Sequence, residues 1–199
     1  MKNKILQLET IGEVHLVKSS RARRLNITIK PFEGIKVSVP VNTGFIRAEE
    51  FVLKKEEWIK KNIEKVKIIE NGYTIFNTGT NFETKNHKLE LLPVSRDDIR
   101  IVIKDHKIKV FYPERVPVKN SSVQMAIRKG IDRALRNEAK LYLPERVKKL
   151  SEYHGFKHQK IFIKNNRSRW GSCSEKNNIN LSIHLMRLPM HLIDYVILH

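Results

Sequence analysis

Eight histidines and one cysteine are the side chains in this sequence best suited to metal or nucleophilic chemistry. His154 and His158 are four apart, the spacing that would put two imidazoles on one helix face. Gly155 breaks a helix between them and no acidic residue intervenes, so exposed loop histidines are the simpler reading. His184 and His191 could share a face only if one helix covered both, and Pro189 argues against that. His15, His87 and His106 have no partner nearby in the sequence. His199 follows the apolar run Leu192-Ile193-Asp194-Tyr195-Val196-Ile197-Leu198 and, taken alone, reads as a buried or terminal histidine. Cys173 lacks the neighbouring base that would activate a thiolate, and reads as a small buried residue. A single cysteine also excludes an internal disulfide and a cysteine-based zinc cage.

Two other stretches carry possible chemistry. Arg167–Ser174 is a polar, glycine-containing strand just before a buried helix. It reads either as an edge strand whose main chain pairs with an extended substrate, or as a plain hairpin with Trp170 on the core and Gly171 at a bulge. Arg21, Arg23 and Arg24, with Lys18, form a basic knot. A phosphate-contacting patch is one reading; a solvated strand end is the simpler one, because no aromatic residues are interleaved for base stacking.

The elements that must position these residues follow from hydrophobic spacing. Val14–Val17, Leu25–Lys30 and Ile35–Val39 read as strands, with Pro31 and Gly34 supplying a turn. Asn42 or Thr43 caps a helix near 43–68, whose apolar face runs from Phe45 to Val66 with some gaps. Tyr73–Phe76, Lys88–Leu92, Ile99–Lys104 and Lys107–Tyr112 read as further strands, with Asp105-His106 as a two-residue hairpin loop. From Ser121 to Leu150 an apolar stripe predicts a long helix, which Pro144 should kink or split. Strands at Lys160–Ile163, Arg167–Ser174 and Ile179–Ile183 then precede a last helix with Pro189 in its first turn. Leu192, Ile193, Val196 and Ile197 of that helix are expected to be buried. The helix reads as cut in the middle, for it ends without glycine, asparagine or a basic last turn.

Composition narrows the options. Of 199 residues, 39 are Lys or Arg and 21 Asp or Glu, a net charge of +18. With 40% hydrophobic residues the chain is too apolar for a disordered tail. Residues 101–199 hold 20 basic and 8 acidic residues, against 19 and 13 in residues 1–100. Such a balance attracts polyanions by a mostly unspecific force, or simply aids solubility. No apolar run approaches the ~18 residues of a membrane span, and Gln7 and Glu9 interrupt any signal-peptide core. A cytoplasmic, reduced protein is expected.

Arg169-Trp170-Gly171-Ser172-Cys173-Ser174, then Ile179-Asn180-Leu181, then Asp194-Tyr195-Val196-Ile197-Leu198-His199, form an ordered set. This set resembles the YgjP-like metallopeptidase family, relatives of the SprT-like and other zincin proteases. Arg21-Ala22-Arg23-Arg24, Val37-Ser38-Val39-Pro40 and Trp58-Ile59 extend the resemblance over nearly the whole chain. It implies an α+β fold: a β-rich N-terminal region, residues 1–115, then a zincin-like helix–strand–helix half, residues 116–199, truncated in the active-site helix. It implies a zinc-dependent hydrolase acting on peptide or protein substrates, in which a helix carries H-E-x-x-H. Two histidines at that spacing share one tetrahedral zinc, and the glutamate serves as base to the bound water. His199 matches the first histidine; the glutamate and further ligands are not in the sequence. The chain as it stands is therefore expected to be inactive and to hold zinc poorly. Arg169, Trp170, Gly171 and Ser172 correspond to the substrate edge. Hydrolysis of a phosphoryl bond and a basic nucleic-acid-binding module, using Arg21, Arg23 and Arg24, remain the alternatives.

Overall fold

Residues 3–72 and 74–199 are described by the computed structural model, whose contacts divide into two units, Met1–Ile75 and Phe76–His199. The fold is mixed α and β, with three small sheets.

In the first unit, strict alternation builds the sheet. Strand β2 (Gly12–Ser19) buries Val14 and Leu16, and β4 (Gly34–Pro40) buries Ile35, Val37 and Val39. These two strands run parallel at the centre, flanked by β1 (Asn3–Leu8) and β3 (Asn26–Lys30), each antiparallel to its neighbour. Gly34 takes φ +72° in the tight β3–β4 turn, a conformation that costs glycine nothing. Helices α1 (Phe45–Lys54) and α2 (Glu56–Asn71) complete the core with Ala48, Val52 and Ile59. The single helix expected over 43–68 is thus two. The break at Lys55 has an electrostatic signature in the sequence: Lys54 ends α1 and Glu56 and Glu57 open α2, so each charge faces the helix end that favours it. Neither Asn42 nor Thr43 caps α1; Gly44 occupies that position without a side-chain bond.

The second unit begins with β5 (Lys88–Val94), β6 (Arg100–Lys104) and β7 (Lys107–Pro113), ordered β5-β7-β6. The β6–β7 turn has both Asp105 and His106 at positive φ, 52° and 58°, the conformation that matches strand twist. Helix α3 (Ser121–His154) lies against this sheet, capped by the Asn120 side chain accepting from the Ser122 N–H at 2.9 Å. Gly130 allows the approach: a Cβ there would come within 2.9 Å of the Ile108 Cγ2. Pro144 does not split α3, which runs unbroken for 34 residues. The carbonyl that loses its donor belongs to Lys140, an exposed residue.

The expected strand at Tyr73–Phe76 is absent over Thr74–Phe76, and Tyr73 lies outside the described residues. A side chain replaces the missing ladder. The buried Gln124 amide accepts from the Phe76 N–H at 3.1 Å and donates to its carbonyl at 2.7 Å. The last sheet, β8 (Ile161–Lys164), β9 (Gly171–Cys173) and β10 (Ile179–Ser182), has order β8-β10-β9. A 3-10 turn, Ile183–Arg187, leads to α4 (Met190–Leu198), with Pro189 at its N-cap. Ile193 and Ile197 are buried as expected and Val196 partly so, but Leu192 is 41% exposed. Among the described residues, no helix is long and apolar enough to cross a membrane.

The sheet of residues 88–113 therefore shares its core with α3. The division falls at 75/76, where the sequence suggested 115/116.

Candidate functional site

Helix α4 is held by apolar and ionic contacts at adjacent positions. Ile193 is fully buried in the second unit's core. Next to it, Asp194 receives a two-pronged bond from Arg146 of α3: Nε donates to Oδ1 at 2.6 Å and Nη2 to Oδ2 at 2.5 Å. A planar guanidinium matched to a carboxylate is the most directional ion pair available to a side chain. The Arg146 bond holds the Asp194 carboxyl below the usual carboxylate range, and the carboxylate raises the guanidinium in turn. Tyr142, one turn back on α3, has a buried hydroxyl without a partner, and burial pushes its phenol up.

His199 closes α4. Its N–H donates to the Tyr195 carbonyl at 3.0 Å, and its ring stacks on Tyr195 with centroids 5.5 Å apart. The side chain is exposed. A helix fixed to α3 thus presents the His199 imidazole to the outside at its end, and the exposed His191 from its first turn.

The strand before it lies close by. Strand β9 is an edge of its sheet, bonded only to β10. The extended segment expected over Arg167–Ser174 contracts to Gly171–Cys173. Gly171 is wedged: a Cβ would meet the Asn180 carbonyl at 3.3 Å and Val196 of α4 at 3.4 Å. The absence of a side chain lets β9 reach both β10 and the His199 helix. The Trp170 carbonyl accepts from the Ser182 N–H at 2.8 Å, while its indole is 46% exposed. Arg169 is exposed and Ser172 half-buried. Cys173, expected to be buried, is exposed, since alternation turns it outward past Ser172.

Elsewhere the structure separates what the sequence grouped. Lys18 leaves the basic knot to donate to the carbonyls of Pro40, Val41 and Thr43, bracing the β4–α1 corner. Arg23 and Arg24 line a cleft in the first unit, while Arg21 is exposed on the same loop. His154 ends α3, where Gly155 turns left-handed. His184 is buried, its Nε2 2.9 Å from the Asn165 Oδ1, and burial pulls its pKa down.

A polar cluster went unread. Glu138, with a fully buried side chain, faces the Thr84 hydroxyl at 2.5 Å, the Asn86 N–H at 3.1 Å and the His87 Nδ1 at 2.7 Å. The signal was a carboxylate on the apolar stripe of α3, between Leu135 and Ala139.

Among the described residues, no group of three or more His, Cys, Asp or Glu side chains stands close enough to hold a metal ion. The donor set present is a single exposed imidazole at the end of α4, which does not by itself fit a tetrahedral zinc. The class nonetheless is that of the metallopeptidases. Residues 23–199 match the family described as YgjP-like, metallopeptidase domain, and the chain belongs to that family. No curated protein and no solved structure matches it.

Proposed function

We propose that the chain forms part of a zinc-dependent hydrolase of peptide or protein substrates, with His199 as a metal ligand. The observation that carries this reading is the family match over residues 23–199, which spans the Trp170-Gly171-Ser172-Cys173 strand and the helix ending in His199. The anchoring of that helix through Ile193 and the Asp194–Arg146 pair supports it, because metal ligands need rigid supports. No histidine in the sequence is followed by Glu-x-x-His. In this reading a zincin-like site is completed by residues after His199, and the 199-residue chain is inactive and binds zinc weakly. Arg169, Trp170, Gly171 and Ser172 form the substrate edge, where an extended peptide adds to the free side of β9. A lone cysteine suits the reducing cytoplasm.

The test compares bound zinc and peptide hydrolysis for the chain ending at His199 and for one continued through Glu-x-x-His to a third protein ligand. The continued chain should hold one zinc and turn over substrate. His199→Ala should lose the zinc, whereas Trp170→Ala should keep it and lose turnover. Submicromolar zinc binding by the shorter chain, or full zinc occupancy in His199→Ala, contradicts the ligand assignment.

A further inference from the structure

We propose that the first unit binds single-stranded nucleic acid across a basic cleft and an adjoining recess lined by Trp58. The cleft, of about 500 Å³, lies between the loop before β3 and the face of α1. Arg23 and Arg24 enter from the loop, and Arg47 and Lys54 from the helix. Glu50 is the one carboxylate in its wall, and none of the four cations is within ion-pair distance of a carboxylate among the described residues. Four unneutralised cations converging on a concave surface hold each other at an electrostatic cost that a chain of phosphates would relieve.

A second recess, of about 230 Å³, shares Leu25 and Phe51 with the first and adds Trp58. The Trp58 indole is 48% exposed, on the opening turn of α2. In the sequence no aromatic residue lies beside the arginines. The fold supplies two, because α1 and the start of α2 run past the loop that carries Arg23 and Arg24. Phosphate-binding cations next to an accessible indole are the two parts of a single-strand site, one holding the backbone and the other stacking a base. A duplex keeps its base faces inside its own stack, and the Asp and Glu side chains of an acidic peptide offer no aromatic ring to stack on the indole. The cleft belongs to a unit that holds none of the hydrolase residues, so it stands apart from the reading of His199.

Fluorescence anisotropy of the full chain with a labelled oligothymidylate of about ten nucleotides tests this. Affinity should fall with salt at a log–log slope near −3, from four contacts at about 0.7 each. Arg24→Gln and Arg47→Gln should each lower the slope by about 0.7. Trp58→Ala should weaken binding at least about fivefold with the slope unchanged, and Trp58→Phe should restore most of the loss. Parallel titrations with oligouridylate tell DNA from RNA, and either preference supports the site. Circular dichroism confirms that each variant is folded. No salt-sensitive binding overturns the proposal. So does equal affinity for duplex DNA or polyglutamate together with indifference to Trp58→Ala, which would mark a surface attractive to any polyanion.

Discussion

At the residue scale, the Asp194–Arg146 pair carries a pH signature. The bond lowers the Asp194 pKa in the folded chain. Its stabilisation is therefore complete above the ordinary carboxylate pKa and is lost as pH falls through the depressed value. Asp194→Asn should be less stable than the parent at neutral pH, and the gap should close below about pH 4. Urea titrations at several pH values measure this; a gap that persists at low pH would mean that the carboxylate charge is not what matters. Glu138 makes a second case. Its removal leaves Thr84, Asn86 and His87 without their shared acceptor in the interior. Glu138→Ala should cost about 3–5 kcal/mol in the same assay. His199 is singled out by its neighbours in sequence, which carry the family's pattern. Arg146 and His87 are not, since their partners lie 48 and 51 positions away.

At the scale of elements, periodicity revealed most of what is local. The Asp105-His106 turn and the core stripe of α3 both follow from spacing alone. What spacing misses is satisfaction from a distance. Phe76 has its main-chain groups met by a glutamine on α3, so the β-branched run before it forms no strand. Strand β1 escaped notice because its residues are mostly exposed, with Lys4 and Gln7 interrupting the pattern. Two substitutions test how tightly the helices sit. Ile193→Ala should cost about 2–5 kcal/mol, as truncation of a fully buried aliphatic does. A loss under about 0.5 kcal/mol would make α4 peripheral. Gly130→Ala gains roughly 1 kcal/mol of helix propensity, but forces a methyl against two branched side chains, Ile108 and Ile101. Overpacking of that kind costs about 1–3 kcal/mol, so net destabilisation is expected in thermal melts.

At the scale of the whole molecule, two cores share no buried residue. Leu16→Ala in the first should cost about 2–5 kcal/mol. Calorimetry of the full chain reads this directly; a loss under about 0.5 kcal/mol would show that this side chain is not part of a close-packed core. The boundary does have a mark in composition: residues 71–82 carry no charged side chain and are rich in Asn, Gly and Thr, in a chain that is 30% charged. It is set by which helix covers the β5-β7-β6 sheet, and that choice is made by Gly130, Ile108 and Ile101 meeting across long stretches of chain.

The exposed Cys173 has a practical consequence. It is the chain's sole thiol and sits on the edge strand, one position beyond Ser172. Maleimide dyes or nitroxide labels can therefore be attached at one defined point without removing any competing cysteine. A reporter placed there sits beside the β9 edge, so its emission or line shape should change when an extended peptide lies along that strand.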